Sequence, residues 1–156
     1  MSRLSLGFAL LLAVAGCRGL GSKDEEASDL VERSMQRSER QAAELRTLTS
    51  LAQIEGALAG YLKDHGGNIP ESLGQLAPNY LTDLPTVDIA SKDHRETNAV
   101  KYYSRGILRD GRIDGSKLRD TGKWGYVHND RQVVVFVDCT HPSSRGKPWY
   151  EEQGSR

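Results

Sequence analysis

The sequence LRTLTSLAQIEGALAGYLKDHGGNIP, which runs from Leu45 to Pro70, decides the predicted fold. Large apolar residues recur in it at intervals of three and four, the spacing of one face of an α-helix: Leu45, Leu48, Leu51, Ile54, Leu58, Tyr61 and Leu62. Gly66 and Gly67 then end the helix, because glycine readily adopts the left-handed turn that follows a helix C-terminus. The stretch therefore predicts the packed part of a helix that stops before Pro70.

The helix pattern extends upstream of this stretch without a proline as far as Lys23. Its first turn, residues 24–26, is acidic, which favours the positive end of a helix dipole. Between residues 24 and 44 the only large apolar residues are Leu30, Val31 and Met35, among many charges. We therefore predict one helix over residues 23–65, with its first half in solvent and its second half packed.

Downstream of the helix, the sequence predicts a connector, a small sheet and a tail. The connector, residues 66–98, is rich in glycine, proline and polar residues and begins with a short helix over 69–76. Alternating apolar and polar residues predict three strands within residues 99–139, at 99–104, 124–127 and 132–138, and the last two form a hairpin. The polar tail, residues 140–156, contains Trp149 and Tyr150, which can fold back onto the sheet.

The predicted fold class is therefore α+β, with a long N-terminal α-helix packed on a small three-stranded antiparallel β-sheet. Residues 23–156 are expected to form one domain, because a chain of 156 residues has room for one modest core.

The N-terminal residues have the form of an export signal. Arg3 precedes an apolar run over residues 4–14, and the run closes on the sequence VAGC, which ends at Cys17. This pattern resembles the bacterial lipoprotein signal, or lipobox. The resemblance implies removal of the signal peptide, residues 1–16, a lipid such as palmitate on Cys17, and a short tether over residues 17–22. An ordinary signal peptide with an incidental cysteine is the alternative.

The lipoprotein resemblance implies a location in the cell envelope, lipid-anchored. Arg18 rather than an aspartate follows Cys17, which implies the outer membrane, on its periplasmic face, in a Gram-negative cell. The apolar run is much shorter than the ~20 residues that cross a bilayer, so no spanning helix is expected there. The membrane is therefore expected as a partner through the lipid alone.

The charges of the chain bear on its function class. Lys and Arg together number 21, as do Asp and Glu, and basic residues lie among acidic ones. We therefore expect no nucleic acid as a partner. The sequence contains no phosphate-binding glycine loop, paired catalytic carboxylates or serine-centred elbow, so we do not expect an enzyme.

The order of elements over residues 45–138 resembles the periplasmic part of type II secretion pseudopilins, the major kind in particular. The residues that carry the resemblance are Ile54, Leu58, Tyr61, Leu62, Gly67, Asn68, Ile69, Pro70, Leu73, Leu76, Leu84, Pro85, Tyr102, Gly125 and Tyr126. The resemblance implies a helix that lies across the sheet and subunits that assemble helically into a short filament.

The N-terminus departs from the pseudopilin pattern. Gly7 and Phe8 imitate a prepilin cleavage site, but Leu12 stands where that family has a glutamate, and the apolar run stops by Cys17. The resemblance therefore implies a pseudopilin-like soluble domain on a lipid anchor. We expect a structural or interaction protein, with components of type II secretion or of a pilus-like assembly as partners.

The alternative function is a ligand-binding module. Major pseudopilins bind calcium in a loop beside the C-terminal strands, and the nearest analogue here is Asp110, Asp114 and Asp120 in the loop over residues 105–123. Their spacing does not follow the EF-hand pattern, since Arg112 stands where a third oxygen ligand belongs. A Ca²⁺ or small-ligand site at these aspartates is therefore one hypothesis, and a solvated loop is the other.

Cys139 and His141 form a second candidate pair. They lie two residues apart, so their side chains share one face of an extended chain and a soft metal can use both. A structural zinc site needs four ligands, however, and His65, His94 and His128 lie at no spacing that identifies them as the others. We therefore predict that Cys139 is a buried thiol at the end of a strand.

Overall fold

The structure is a computed structural model that describes residues 21–152, with side chains from residue 25 onward. The predicted signal peptide, Cys17 and residues 153–156 lie outside the described residues. The chain divides into two compact units, one ending at Met35 and the other beginning at Gln36. No helix within the described residues has the length and apolarity that a membrane crossing requires.

One long helix, α1, runs over Gly21–Asp64. Every side chain from 25 to 42 is exposed, whereas Leu48, Leu51, Ile54 and Leu58 are buried in the core. The prediction of an exposed first half and a packed second half is therefore confirmed. Leu45 is an exception, with 59% of its surface exposed.

Leu45 is exposed because the buried face of α1 begins with its neighbours. Ala43, Glu44, Thr47 and Leu48 are buried, and a residue between these pairs points to the other side of a helix. The prediction that Leu45 packs is therefore wrong.

The main sheet has three strands in the order β1-β4-β5: β1 over Val100–Tyr103, β4 over Trp124–His128 and β5 over Val133–Val137. The strands β4 and β5 form the predicted antiparallel hairpin. The strand β1 instead lies parallel to β4, so the sheet is mixed, and the prediction of a purely antiparallel sheet is wrong. Helix α1 shares one apolar core with this sheet, so the α+β class is confirmed.

The parallel pairing follows from the path between β1 and β4. Parallel strands need a long crossover, and residues 104–123 supply one. This crossover contains a small hairpin, β2 over Leu108–Arg109 and β3 over Arg112–Ile113. Two 3₁₀ turns accompany it, at Arg105–Ile107 and Gly115–Lys117.

The connector and the tail both pack on the sheet. Of the short helix predicted over 69–76, only a 3₁₀ turn at Leu73–Leu76 forms. The Trp124 indole N–H donates to the Pro85 carbonyl at 2.7 Å, which ties the connector to β4. A last 3₁₀ turn at Trp149–Glu151 buries Trp149 in the core, so the tail folds back as predicted.

Candidate functional site

Four side chains that can bind a metal converge beyond the end of β5. They are His94, Asp120, Cys139 and His141, and their ligand atoms all lie within 4.8 Å of one another. Within the described part of the chain this is the one group of three or more His, Cys, Asp or Glu side chains with such a geometry. The connector, the crossover and the start of the tail each contribute to it.

A tight turn directly after β5 positions Cys139 and His141. The Cys139 N–H donates to the Val137 carbonyl at 2.8 Å, and the His141 N–H donates to the Cys139 sulfur at 3.4 Å. The turn leaves the His141 Nδ1 only 3.3 Å from the Cys139 Sγ. The expectation that Cys139 is buried at a strand end is confirmed, since it has 0% exposure.

Asp120 reaches the same point from the end of the crossover. Its backbone adopts φ 53°, in the left-handed region, and its Oδ1 accepts a hydrogen bond from the Thr140 N–H at 2.8 Å. Its carboxylate lies 3.6 Å from the His94 Nε2 and 3.9 Å from the His141 Nδ1. The Asp120 carboxylate is therefore close to both histidines without a direct hydrogen bond to either.

His94 comes from the connector and is the most enclosed of the histidines. Its side chain is 8% exposed, and its Nε2 is buried without a hydrogen-bond partner. The loop that carries it is closed by two backbone hydrogen bonds between Val87 and Thr97. Gly122 provides the space for the ring, because a Cβ at this glycine would lie 2.5 Å from the His94 side chain.

The surroundings of the site lower the pKa of Asp120 and raise the pKa of Cys139. Burial raises the pKa of Asp120, but the hydrogen bonds from Thr140 and the proximity of His141 outweigh it, so the net pKa is lowered and the group is a carboxylate. Burial, with the nearby Asp120 carboxylate, raises the pKa of Cys139 to about 12, despite the opposing backbone hydrogen bond from His141. The thiol therefore keeps its proton at neutral pH unless a cation replaces it.

A second layer of hydrogen bonds supports the site. Asp138, fully buried, accepts from the Tyr103 hydroxyl at 2.8 Å and from the N–H and hydroxyl of Thr121. These bonds fix the crossover next to Asp120 against the end of β5. On the solvent side, the Asp93 carboxylate lies 3.8 Å from the His141 Nε2.

The three aspartates predicted as a calcium site do not form one cluster among the described residues. Asp110 lies in the β2–β3 turn at φ 51°. Asp114 accepts from the Ser116 N–H and hydroxyl and lies 3.6 Å from the Lys117 Nζ. Only Asp120 reaches other candidate ligands, and calcium binding stays a prediction.

Local spacing in the sequence predicts only part of the cluster, the pair of Cys139 and His141. The sequence predicts Asp120 instead in a calcium site with Asp110 and Asp114. No local motif marks His94, because its neighbours in space belong to other segments.

No protein-family model, curated protein or solved structure matches this chain.

Proposed function

We propose that this chain is a structural or interaction protein of the bacterial envelope, in which a pseudopilin-like module is held at the membrane by a lipid on Cys17. The observation that carries the proposal is the first part of α1. None of its described side chains from 25 to 42 is buried, and Leu30, Val31 and Met35 are 64%, 58% and 58% exposed.

A helix of this kind gains little from its own sequence. Isolated helices are marginal in water, and most helical stability in proteins comes from packing an apolar face. Large apolar side chains that stay exposed together commonly mark an interaction site. We therefore assign residues 25–42 to binding a partner, with the folded part from residue 43 onward as the pseudopilin-like module.

Two features support the pseudopilin-like assignment. A single long helix shares its core with a small three-stranded sheet, and a glycine- and proline-containing connector joins them. The parallel β1 is a departure from the arrangement that the resemblance implies. The proposed partners are components of type II secretion or of a pilus-like assembly, on the periplasmic face of the outer membrane.

Photo-crosslinking in cells tests the partner. A photoreactive amino acid at Met35 is expected to give an adduct with a secretion or pilus component, because this side chain is apolar and exposed. The control is the same amino acid at Arg33, whose side chain is also exposed but points to the opposite side of the helix from Met35. The absence of any adduct at Met35, or equal adducts at both positions, contradicts the assignment.

Fatty-acid labelling tests the anchor separately. Wild-type protein is expected to take up a palmitate analogue and Cys17→Ser is expected to take up none. Label that persists in the Cys17→Ser variant contradicts the lipid anchor on this residue.

The alternative function is calcium or small-ligand binding by the crossover. One observation favours it: Asp110 and Asp114 line the same surface depression. Arg109 and Arg112 line it as well, however, and they oppose a cation. A ligand that binds only the folded state must raise its melting temperature, so unchanged melting in millimolar calcium contradicts this alternative.

A further inference from the structure

The cluster at the end of β5 has the donor composition of a transition-metal site. It offers two imidazole nitrogens, one thiol sulfur and one carboxylate oxygen. Zn²⁺ accepts all three donor types, whereas Ca²⁺ and Mg²⁺ prefer oxygen ligands alone. A Cys139 thiolate and the Asp120 carboxylate together also balance the two charges of such an ion.

Three of the distances between the donors are close to those that one ion requires. With Zn–N and Zn–O distances of about 2.0–2.2 Å and Zn–S of about 2.3 Å, a tetrahedral ion separates its ligand atoms by roughly 3.3–3.6 Å. The Cys139 Sγ and His141 Nδ1 are 3.3 Å apart, and the Asp120 carboxylate is 3.6 Å from His94 and 3.9 Å from His141. The other pairs of ligand atoms lie within 4.8 Å of one another, so the four donors must draw closer by side-chain rotation to share one ion.

The buried His94 nitrogen is independent evidence for a ligand. Its Nε2 has no hydrogen-bond partner, although its side chain is only 8% exposed. A buried polar atom without a partner costs folding free energy, and such atoms are uncommon in folded proteins. The nitrogen faces the Asp120 carboxylate, so an ion between the two satisfies both groups.

We infer that His94, Asp120, Cys139 and His141 bind one Zn²⁺ ion in a tetrahedral site. The histidines bind as neutral imidazoles, through Nε2 of His94 and Nδ1 of His141, and Cys139 releases its thiol proton to solvent when the ion binds. Four protein donors fill the coordination of zinc and leave no position for a substrate, so the site is structural. It links the connector, the crossover and the tail.

The geometry also assigns Asp93 as a positioning residue for His141. Metal-binding histidines usually donate their second ring N–H to a carboxylate, carbonyl or water, which fixes the tautomer and the ring orientation. The His141 Nδ1 faces the other donors, and its Nε2 lies 3.8 Å from the Asp93 carboxylate, so the exposed Asp93 side chain must rotate closer to accept the Nε2 hydrogen bond. Loss of such an outer partner typically weakens metal binding about 10- to 100-fold.

Zinc binding by the full chain tests the site. The chain is purified in detergent, stripped of metal and then dialysed against zinc. We expect one Zn²⁺ per chain after equilibrium dialysis. Substitution with Co²⁺ is expected to give the intense visible bands of tetrahedral cobalt and a thiolate-to-cobalt charge-transfer band in the near ultraviolet. Failure to bind zinc, or a cobalt spectrum without the thiolate band, overturns the inference.

Variants locate the ion within the chain. Cys139→Ser is expected to lose the thiolate band, and His94→Asn is expected to lose zinc binding. Two matched controls are expected to bind zinc like wild type. They are Asp114→Asn and, at an exposed position, His128→Asn. Wild-type binding in both Cys139→Ser and His94→Asn shows that zinc lies elsewhere and overturns the inference.

Asp93→Asn keeps the test decisive if a ligand variant fails to fold. The Asp93 side chain is 72% exposed, so the variant is expected to fold normally, as circular dichroism can verify. We expect its zinc affinity to fall about 10- to 100-fold with one ion still bound. Unchanged affinity in a folded Asp93→Asn overturns its positioning role, and loss of the charge-transfer band in this variant overturns the assignment of the ligands.

Discussion

Gly122 shows how one residue determines the position of a candidate ligand. Its φ of 66° lies in the left-handed region, and a Cβ there would meet the His94 side chain at 2.5 Å. Gly122→Ala is therefore expected to lose about 1–2 kcal/mol of unfolding free energy to the backbone alone, and more because the His94 ring must move. Urea unfolding measures the loss.

Gly146→Ala separates the backbone cost from the cost of moving the His94 ring. Gly146 has φ 78°, but a Cβ there would have nothing within 4 Å, so only the backbone cost of about 1–2 kcal/mol applies. Equal losses in the two variants contradict a close contact between Gly122 and His94.

Tyr103 makes the stability of the protein sensitive to alkaline pH. The pKa of Tyr103 is raised from 10.0 to about 12, mainly by burial. The hydrogen bond that the Arg119 N–H donates to the Tyr103 oxygen lowers this pKa, and the hydrogen bond to Asp138 raises it. Between these two pH values the unfolded chain binds fewer protons than the folded protein. Stability is therefore expected to fall as the pH rises from 10.0 towards about 12.

Urea unfolding of Tyr103→Phe at neutral and alkaline pH tests this dependence. The stability difference between wild type and Tyr103→Phe is expected to shrink as the pH rises through this range, because only wild type can lose this proton. Tyr102→Phe, at a neighbouring position that is 47% exposed, is the control. A difference between wild type and Tyr103→Phe that stays constant with pH contradicts the prediction.

At the scale of elements, the sequence predicts what depends on nearby residues. The end of α1 follows from Gly66 and Gly67, and the β4–β5 hairpin follows from alternation on both sides of one short turn. The direction of β1 is different, because it depends on the path of residues 104–123 through space. A connection of that length permits either pairing, so local patterning does not determine the parallel register of Val100 with Trp124.

The two parts of α1 are expected to contribute unequally to stability. Leu51 is 0% exposed and Leu30 is 64% exposed, so the same substitution has different consequences on one helix. Leu51→Ala is expected to lower the unfolding free energy by about 2–5 kcal/mol. Leu30→Ala is expected to change it by no more than about 0.5 kcal/mol. Urea unfolding of both variants checks the pair, and similar losses contradict the division of the helix.

At the scale of the whole molecule, the candidate site forms where segments without long helices or strands meet. His94, Asp120 and His141 belong to the connector, the crossover and the tail, which hydrogen bonds and buried side chains anchor to the core. One anchor is the reciprocal pair of hydrogen bonds between Thr47 on α1 and the backbone of Asp88. Sequence patterns describe each segment alone, so their meeting point is visible only once the core has assembled.

Metal removal is therefore expected to loosen these segments and leave the core intact. Hydrogen exchange of the zinc-loaded full chain, with and without a chelator, measures this directly. We expect the chelator to speed exchange around His94, Asp120 and His141, because the ion joins segments that lie outside the helices and strands. Exchange in β4, in β5 and over residues 48–62 of α1 is expected to stay slow, since those hydrogen bonds lie in packed elements. His94→Asn, which is expected to lose zinc binding, is the control and is expected to show no response to chelator. Unchanged exchange at all three segments contradicts a structural role for the ion, and faster exchange throughout the core contradicts its restriction to these segments.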